Sequence, residues 1–223
     1  MLREKLMTVS EQTYEELVAN LPAAATLILH NVSWEEYEEL LDVVGEASGL
    51  RISFSEGMLQ VMTLSREHEI YERVIQFMVN LCTMRLGIKV CSLGSATLRK
   101  RKKKKGLEAD CCFWIGRSDL PVLSQDLDFE RDPPPDLAVE VDIHHESLSK
   151  FPIYAALGIP EVWRHDGETL IIYHLQNAEY HVAPASLALP VLASEPLTAF
   201  LRRLKEEDEN SVLLAFEDWL RKR

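Results

Sequence analysis

The sequence is poor in glycine, proline and cysteine, and these shortages exclude several classes of protein. Nine glycines and ten prolines in 223 residues, alongside 47% apolar residues, are inconsistent with a collagen-like or low-complexity chain. A chain of this length can bury a substantial core, so we expect one soluble globular unit. The four cysteines form no CxxC pair, and the adjacent Cys111 and Cys112 would point to opposite faces of a strand, which argues against a zinc site.

Long apolar segments are also missing. No stretch approaches the roughly 20 apolar residues that a membrane-spanning helix needs, and the first residues lead into a polar segment without the apolar core of a secretory signal. Cysteines with this spacing are typical of reduced, buried side chains. We therefore expect a cytoplasmic protein that has no membrane segment.

Positive charge is scarce overall but concentrated in one place. The chain carries 24 basic and 36 acidic residues, a net charge of −12, yet seven of the basic residues are consecutive. Without them the remaining 17 basic residues face 36 acidic ones, a net charge of −19. The run comprises Arg99, Lys100, Arg101, Lys102, Lys103, Lys104 and Lys105. It is either a solvated loop or localisation signal, or an arm that binds a nucleic-acid backbone by releasing counterions.

Hydrophobic periodicity predicts an α/β chain. We expect residues 1–48 to form a helical extension, with a weak helix over 10–20 and a better one after Ser33, whose Ser-x-x-Glu pattern is a capping box. Residues 50–54 and 58–62 alternate as a β-hairpin, and Ser65 begins a long helix that ends near Gly87. Residues 49–185 would form the core, and helices at 197–207 and 212–221 lie in a C-terminal segment, residues 186–223, of the same domain.

The middle of the chain predicts the sheet. Strands are expected at residues 88–91, 96–99, 107–115 and 137–141, at 161–164 and 169–173 around an Asp-Gly turn, and at 180–182. A helix through residue 157 lies between the strands at 137–141 and 161–164, which predicts a crossover in a parallel or mixed sheet.

Acidic residues interrupt two of these apolar strands. Asp110 lies in one strand and Glu140 in another, and neighbouring strands would bring the two carboxylates together. Such a pair repels unless a cation lies between its members, and oxygen ligands suit Mg²⁺ or Mn²⁺. The alternative is that both acids lie at strand ends in water. Lys150, at the start of the next helix, favours the site, because two acids and a lysine can support phosphodiester hydrolysis.

These residues carry a resemblance to a known family. The segments Leu-Glu-Ala-Asp110, Pro-Pro-Asp-Leu-Ala-Val-Glu140-Val and Lys150-x3-Tyr154-x3-Gly-Ile-Pro-Glu-Val-Trp resemble the Uma-type restriction endonuclease family of the PD-(D/E)XK nuclease superfamily. The likeness extends over residues 53–173 and includes His68. It implies a restriction-endonuclease-like three-layer core with a mixed central β-sheet flanked by helices. It also implies that Asp110 and Glu140 bind the metal and that Lys150 is catalytic.

Three residues need separate interpretation. Asp142 occupies the position where the superfamily places a strand-borne lysine, so it is a third carboxylate, a partner of Lys150 or a sign of a decayed site. His68 is either a structural histidine that binds a strand carbonyl or, as the resemblance implies, an active-site residue. Glu67 is an additional metal-ligand candidate, or an acid that favours the helix dipole.

The sequence therefore predicts a metal-dependent endonuclease that cleaves DNA with Mg²⁺ or Mn²⁺. Asp110, Glu140, Lys150 and His68 would be catalytic, and the basic run would contact the DNA backbone. The alternatives are a catalytically inactive nucleic-acid-binding or interaction protein with the same fold, and a hydrolase of another phosphoester. By family analogy, cutting two strands is simplest for a homodimer, which we expect.

Overall fold

The computed structural model describes residues 18, 20–44, 49–117, 128–143 and 150–223. Five α-helices have both limits in this part of the chain: α1 Trp34–Val44, α2 Arg66–Leu86, α3 Phe151–Leu157, α4 Ser194–Arg203 and α5 Glu209–Leu220. The strands are β1 Thr26–His30, β2 Leu50–Ser55, β3 Met58–Thr63, β4 Val90–Leu93, β5 Ala96–Lys100, β6 Lys105–Ala109, β7 Cys111–Ile115, β8 Leu137–Val141, β9 Glu161–His165, β10 Leu170–Gln176 and β11 Glu179–Ala183.

The strands form two sheets. The first is antiparallel, in the order β1-β3-β2-β6-β5. The second has the order β11-β10-β9-β8-β7-β4 and is mixed, because β8 and β9 run parallel on either side of the crossover through α3. Helices α2, α4 and α5 pack on one face of the mixed sheet, and α3 packs on the other face. This is the predicted α/β architecture with a mixed central sheet flanked by helices.

Local sequence explains where the helices begin and end. The capping box before α1 is confirmed, because the Ser33 amide donates to the Glu36 carboxylate at 2.7 Å and the Glu36 amide donates to Ser33 Oγ at 3.1 Å. Ser65 Oγ accepts from the His68 amide at the start of α2. Gly87 ends α2 with a φ of 65°, a left-handed conformation that glycine adopts without strain. The start of α2 is therefore fixed, and with it the position of His68.

The N-terminal prediction needs a correction. Thr26–His30 form β1, an edge strand paired with β3, so residues 1–48 are not a purely helical extension. This run of five residues is too short for an amphipathic helix, and its apolar and β-branched side chains suit an edge strand. The predicted helix over 10–20 lies almost entirely outside the described residues.

The strand predicted at residues 107–115 is in fact two strands. β6 pairs with β2 and β5 in the first sheet, whereas β7 pairs with β4 and β8 in the second. Asp110 is the residue at which the chain passes from one sheet to the other. The strand predicted at residues 88–91 is also displaced, because β4 begins at Val90. The junction at Asp110 is what positions the candidate site.

Candidate metal and catalytic centre

Asp110 lies at the junction of the two sheets and is 1% exposed. Its Oδ1 accepts a hydrogen bond from Arg51 Nε at 2.7 Å, and its Oδ2 accepts from the Val141 backbone amide at 2.7 Å and lies 3.0 Å from His68 Nε2. Residues from β2, α2 and β8 therefore meet on one carboxylate. Such a buried anion is stable only because it has this set of donors.

Glu140 is the second buried carboxylate, 3% exposed. The antiparallel register of β7 and β8, with Cys111 opposite Val139, continues to place Asp110 opposite Glu140. Glu140 Oε2 accepts from Lys150 Nζ at 2.5 Å, and its Oε1 accepts a short hydrogen bond from the Tyr154 hydroxyl. The predicted convergence of the two acidic strands is therefore present in the fold.

The crossover helix α3 delivers both partners of Glu140. Lys150 is the residue before the first turn and Tyr154 lies one turn later, so the two side chains project from the same side of the helix. Pro152 fits the first turn without loss of a backbone hydrogen bond, and Gly158 ends the helix with a φ of 85°. The short, well-capped helix fixes the ammonium and the hydroxyl against the same carboxylate.

Asp142 does not hold Lys150. Its Oδ2 accepts a hydrogen bond from Arg164 Nε at 2.8 Å, a residue of the neighbouring strand β9. The ammonium of Lys150 is bonded to Glu140 instead. Asp142 is therefore not the residue that bonds the Lys150 ammonium, although its charge adds to those of Glu140 and Asp110 in raising the pKa of Lys150.

A second group of side chains surrounds Asp110 from the direction of α2. His68 and Glu72 are four residues apart on this helix and face the same side. One potential ligand atom from each of His68, Glu72 and Asp110 lies within 4.8 Å of the other two. Arg51 bridges the group, because its NH2 donates to Glu72 Oε2 at 3.0 Å while its Nε binds Asp110.

Burial and neighbouring charges separate the pKa values of the two central acids. Burial acts to raise the pKa of Asp110, but the hydrogen bond from His68 and the charges of His68, Lys150 and Arg51 hold it below its ordinary value. Burial raises the pKa of Glu140 to about 7; Lys150 opposes this rise and the Asp110 carboxylate reinforces it. Asp110 is thus a permanent anion, whereas ionisation of Glu140 costs free energy in the folded protein.

Lys150 remains an ammonium in this setting. Burial acts to lower its pKa, but the carboxylates of Glu140 and Asp110 outweigh burial and raise it. A lysine in this state donates hydrogen bonds and positive charge. It does not readily accept a proton.

The structure thus brings Asp110, Glu140, Lys150 and His68 into one buried region. His68 binds the Asp110 carboxylate, which excludes the interpretation that it binds a strand carbonyl through Nε2. Glu67 is exposed, and the acid of α2 that reaches the site is Glu72. Glu108 lies within the first sheet, where its carboxylate accepts from the Ile52 amide at 2.9 Å.

Sequence reasoning missed Arg51 and Glu72 and gave Tyr154 no role beyond the motif. The spacing of Glu72 from His68, one helical turn, was a signal that could have found it. Arg51 was detectable as a charged residue within an apolar alternating strand. No local pattern in the sequence showed that β2 and α2 lie next to each other in the fold.

The basic run forms the end of the β5–β6 hairpin, with a single 3₁₀ turn at Arg101–Lys103. Five of its seven side chains have protein partners. Arg99 and Arg101 pair with Glu38, Lys105 pairs with Glu56, and Lys100 and Lys103 donate to the backbone carbonyls of Leu157 and Ala156 at the end of α3. Lys102 and Lys104 have no side-chain partner among the described residues. The run is an ordered hairpin that contacts α3, which the interpretation as a solvated loop did not anticipate.

The donor set fits a divalent cation. Asp110 Oδ1 and the two Glu140 oxygens are hard ligands, each with a second lone pair beyond the one hydrogen bond it accepts. Among the described residues of this region, four acids face two permanently charged bases, Arg51 and Lys150; the acids are Glu72, Glu108, Asp110 and Glu140. The local excess of negative charge and the raised pKa of Glu140 are what an additional cation would relieve.

The family comparison decides the affiliation of the chain. A model of the Uma2 family, described as "Putative restriction endonuclease", matches residues 34–204, about three quarters of the sequence. The chain belongs to the Uma2 family. The resemblance carried by the segments around Asp110, Glu140 and Lys150 is thereby confirmed, and the match extends beyond it into α1 and α4.

A solved structure shows the same fold as this Uma2 chain. It is the crystal structure of a protein from Anabaena variabilis ATCC 29413 described as a putative nuclease belonging to DUF820. The two are 16% identical, with a TM-score of 0.52, and the alignment covers 76% of this chain and 99% of the other. At this identity the likeness establishes the fold alone.

One comparison and one structural observation were negative. None of the curated proteins matches the chain. Within the described residues, no helix has both the length and the apolar character that crossing a bilayer requires.

Proposed function

We propose that this Uma2 protein is a metal-dependent endonuclease that hydrolyses DNA phosphodiester bonds. The observation that carries the proposal is the convergence of Asp110, Glu140 and Lys150 at the junction of the two sheets, where all three are at most 8% exposed. Two carboxylates for a cation and an ammonium for the phosphate form a minimal set for this reaction. Family membership supports the same reaction class.

Each residue has a distinct part in the proposed reaction. Asp110 and Glu140 would hold Mg²⁺ or Mn²⁺, which when bound supplies charge neutralisation and activates water. The Lys150 ammonium would bind a phosphate oxygen or orient the attacking water, since its raised pKa makes proton acceptance unfavourable. Tyr154, bonded to Glu140, would orient that carboxylate. His68 would orient Asp110 through its 3.0 Å contact.

Nicking of a supercoiled plasmid tests this assignment. With Mg²⁺ or Mn²⁺ the wild type should cut, and Asp110→Asn, Glu140→Gln and Lys150→Met should each lose about 100-fold or more of the rate. Asp142→Asn is the matched control, because Asp142 lies two residues from Glu140 but pairs with Arg164. It should keep most of the wild-type rate. Equal losses in all four variants would contradict the specific assignment.

A second candidate function is nucleic-acid binding without cleavage. One observation favours it: Asp110 and Glu140 each already have a cationic partner in the protein, Arg51 and Lys150, so neither carboxylate is unpaired without a metal ion. A folded wild type that binds DNA in a salt-dependent manner, but does not cut with either metal, would select this function. Metal-dependent cleavage by the wild type that is lost in Asp110→Asn would exclude binding without cleavage.

The DNA substrate also bears on assembly. One site of this kind cuts one strand, so cutting a duplex in one event needs two copies, and we propose a homodimer. Light scattering after size exclusion, with and without a DNA duplex, measures the mass directly. A monomer under both conditions would contradict the dimer and leave a nicking activity.

A further inference from the structure

The cluster formed by His68, Glu72 and Asp110 has the chemistry of a second metal site. An imidazole and two carboxylates suit a divalent transition ion such as Mn²⁺. His68 is 6% exposed, and its Nδ1 has no hydrogen-bond partner among the described residues, lying 3.8 Å from Glu72 Oε2. In its neutral form the ring would present this buried nitrogen to a metal ion as a ligand. This cluster lies on the α2 side of Asp110, whereas Glu140 and Lys150 belong to β8 and the start of α3.

The cluster already contains a cation, the guanidinium of Arg51. Its Nε donates to Asp110 Oδ1 at 2.7 Å, its NH2 donates to Glu72 Oε2 at 3.0 Å, and its NH1 donates to the Leu50 carbonyl at 2.9 Å. All three nitrogens are thus engaged, and the residue is 5% exposed. A group that is always charged and held at three points is a fixed positive charge.

The geometry makes the guanidinium and a metal ion mutually exclusive. The ligand atoms of His68, Glu72 and Asp110 lie close enough together to hold one ion, but the Arg51 guanidinium already donates to both carboxylates of this cluster. Arg51 bridges the Asp110 and Glu72 carboxylates and occupies one oxygen of each, so a second ion would compete with it for these oxygens. A divalent ion at the same carboxylates would also meet the full repulsion of a buried positive charge.

We propose that Arg51 is a resident cation that excludes a second divalent ion from the His68–Glu72–Asp110 cluster. The site then works with one metal ion, held on the Glu140 side of Asp110. This inference rests on the proposed function for the identity of that first ion. It identifies Arg51 as the residue that sets how many metal ions bind. Arg51 acts on the reaction only through Asp110 and is therefore a positioning residue.

Counting bound ions tests the inference without measuring cleavage. The full chain, stripped with a chelator, is titrated with Mn²⁺ by calorimetry, and electron paramagnetic resonance reports whether bound ions are close enough to couple. We expect one uncoupled Mn²⁺ in the wild type and two coupled Mn²⁺ in Arg51→Gln. Arg51→Lys, which keeps a positive charge, should bind one. Arg73→Gln is the matched control, because Arg73 lies on α2 and pairs with Glu209 at the surface, and it should also bind one.

Glu72→Gln keeps the test decisive if Arg51→Gln does not fold without metal. We expect Glu72→Gln to bind one Mn²⁺ with wild-type affinity, because the first ion does not use Glu72. Loss of the ion in this variant would overturn the inference, since the wild-type metal would then occupy the cluster beside Arg51. A folded Arg51→Gln with one ion and unchanged affinity would also overturn it.

The outcomes separate this inference from the proposed function. If the wild type binds no Mn²⁺ and Arg51→Gln binds one, exclusion by Arg51 is supported while the metal-dependent function of the wild type fails. If neither protein binds Mn²⁺, both fail. If the wild type binds one ion and cuts DNA but Arg51→Gln gains none, the nuclease stands and the inference fails.

Discussion

In two regions of the molecule, acidic side chains pair with basic ones. The regions differ in how much the stability of the protein depends on each pair. At the junction of the sheets, Arg51, Asp110 and Lys150 are 5%, 1% and 8% exposed. On the β5–β6 hairpin, the side chains of Arg99 and Arg101, which share Glu38, are 43% and 67% exposed. A buried charge needs its partner, whereas an exposed one can exchange its partner for water or for a phosphate.

The difference suggests a division of labour. The centre is held in one arrangement by burial, which suits a site that must position a few atoms. The hairpin keeps its cations in contact with solvent, which suits a surface that binds and releases a polyanion. Substitutions in the two regions are therefore expected to differ in the size of their effect and in the property that they alter.

The largest effect is expected from removing the anion at the junction. Asp110→Ala leaves Arg51 and His68 without their shared carboxylate and the Val141 amide without an acceptor. Stranding buried partners in this way should lower the free energy of unfolding by about 3–5 kcal/mol. Urea denaturation of the metal-free protein measures the change.

Glu38→Ala is the surface counterpart. It removes the acid that Arg99 and Arg101 share and should cost no more than about 1 kcal/mol. Asp110→Asn should lie between the two, because the amide oxygen still accepts one hydrogen bond. Equal costs for Asp110→Ala and Glu38→Ala would remove the contrast between the regions.

A pH effect on stability should follow at the centre. The pKa of Glu140 is raised by burial to about 7 in the folded protein, so the folded state binds a proton that the unfolded state has released. The stability that this proton provides is fully present below the ordinary pKa of glutamate and is lost as the pH rises to about 7. The effect should be smaller than that of Asp110→Ala, because Lys150 remains to oppose the new charge.

Glu140→Gln isolates this contribution. Burial also raises the pKa values of Glu72 and Glu108, which act in the same direction and persist in the variant. Unfolding of metal-free protein by urea, measured from pH 5 to pH 8, should show a shallower decline for Glu140→Gln than for the wild type. Burial acts to lower the pKa of His68, but the hydrogen bond and charge of Asp110 raise it, so His68 also contributes to the decline. Parallel curves would assign the decline to these other groups.

The centre was only partly predictable from sequence, for a physical reason. Glu140 lies near the end of β8 and Lys150 immediately before α3, only ten positions later, so their proximity follows from a short sequence separation. Asp110 was identified from an acid in an apolar strand, but apolar alternation runs through residues 107–115 without showing that the chain changes sheets there. Arg51 contacts Asp110 across 59 positions of sequence, and no local pattern encodes such a contact.

Packing, and not charge, should dominate the stability of the hairpin. Gly106 lies in β6 directly over Tyr37, and an added Cβ would come 2.3 Å from the Tyr37 hydroxyl. Gly106→Ala should therefore lower the free energy of unfolding by about 1–3 kcal/mol through overpacking. Thermal or urea denaturation measures this, with Glu38→Ala as the comparison for lost charge.

Tyr37→Phe provides the control. Its hydroxyl is buried and has no hydrogen-bond partner among the described residues, so removing it alone should cost little. In combination with Gly106→Ala it should restore part of the lost stability, because the closest clash is with this oxygen. Strictly additive effects would show that the strain lies elsewhere in β6.

The smallest effect on stability, and the most informative about DNA, is expected at the end of the hairpin. Lys102 and Lys104 are exposed and precede β6, whose first residue, at about 3.3 Å per residue, lies about 17 Å along the strand from Asp110, too far for contact with a phosphate at the proposed cleavage site. Lys102→Ala with Lys104→Ala should leave the unfolding free energy unchanged and weaken DNA binding. The slope of log affinity against log salt should fall by about two, one counterion for each lost phosphate contact. The exposed Lys89 and Lys222, changed together to alanine, are the control; an equal fall in slope there would show that binding follows net charge and that the hairpin is not a specific contact.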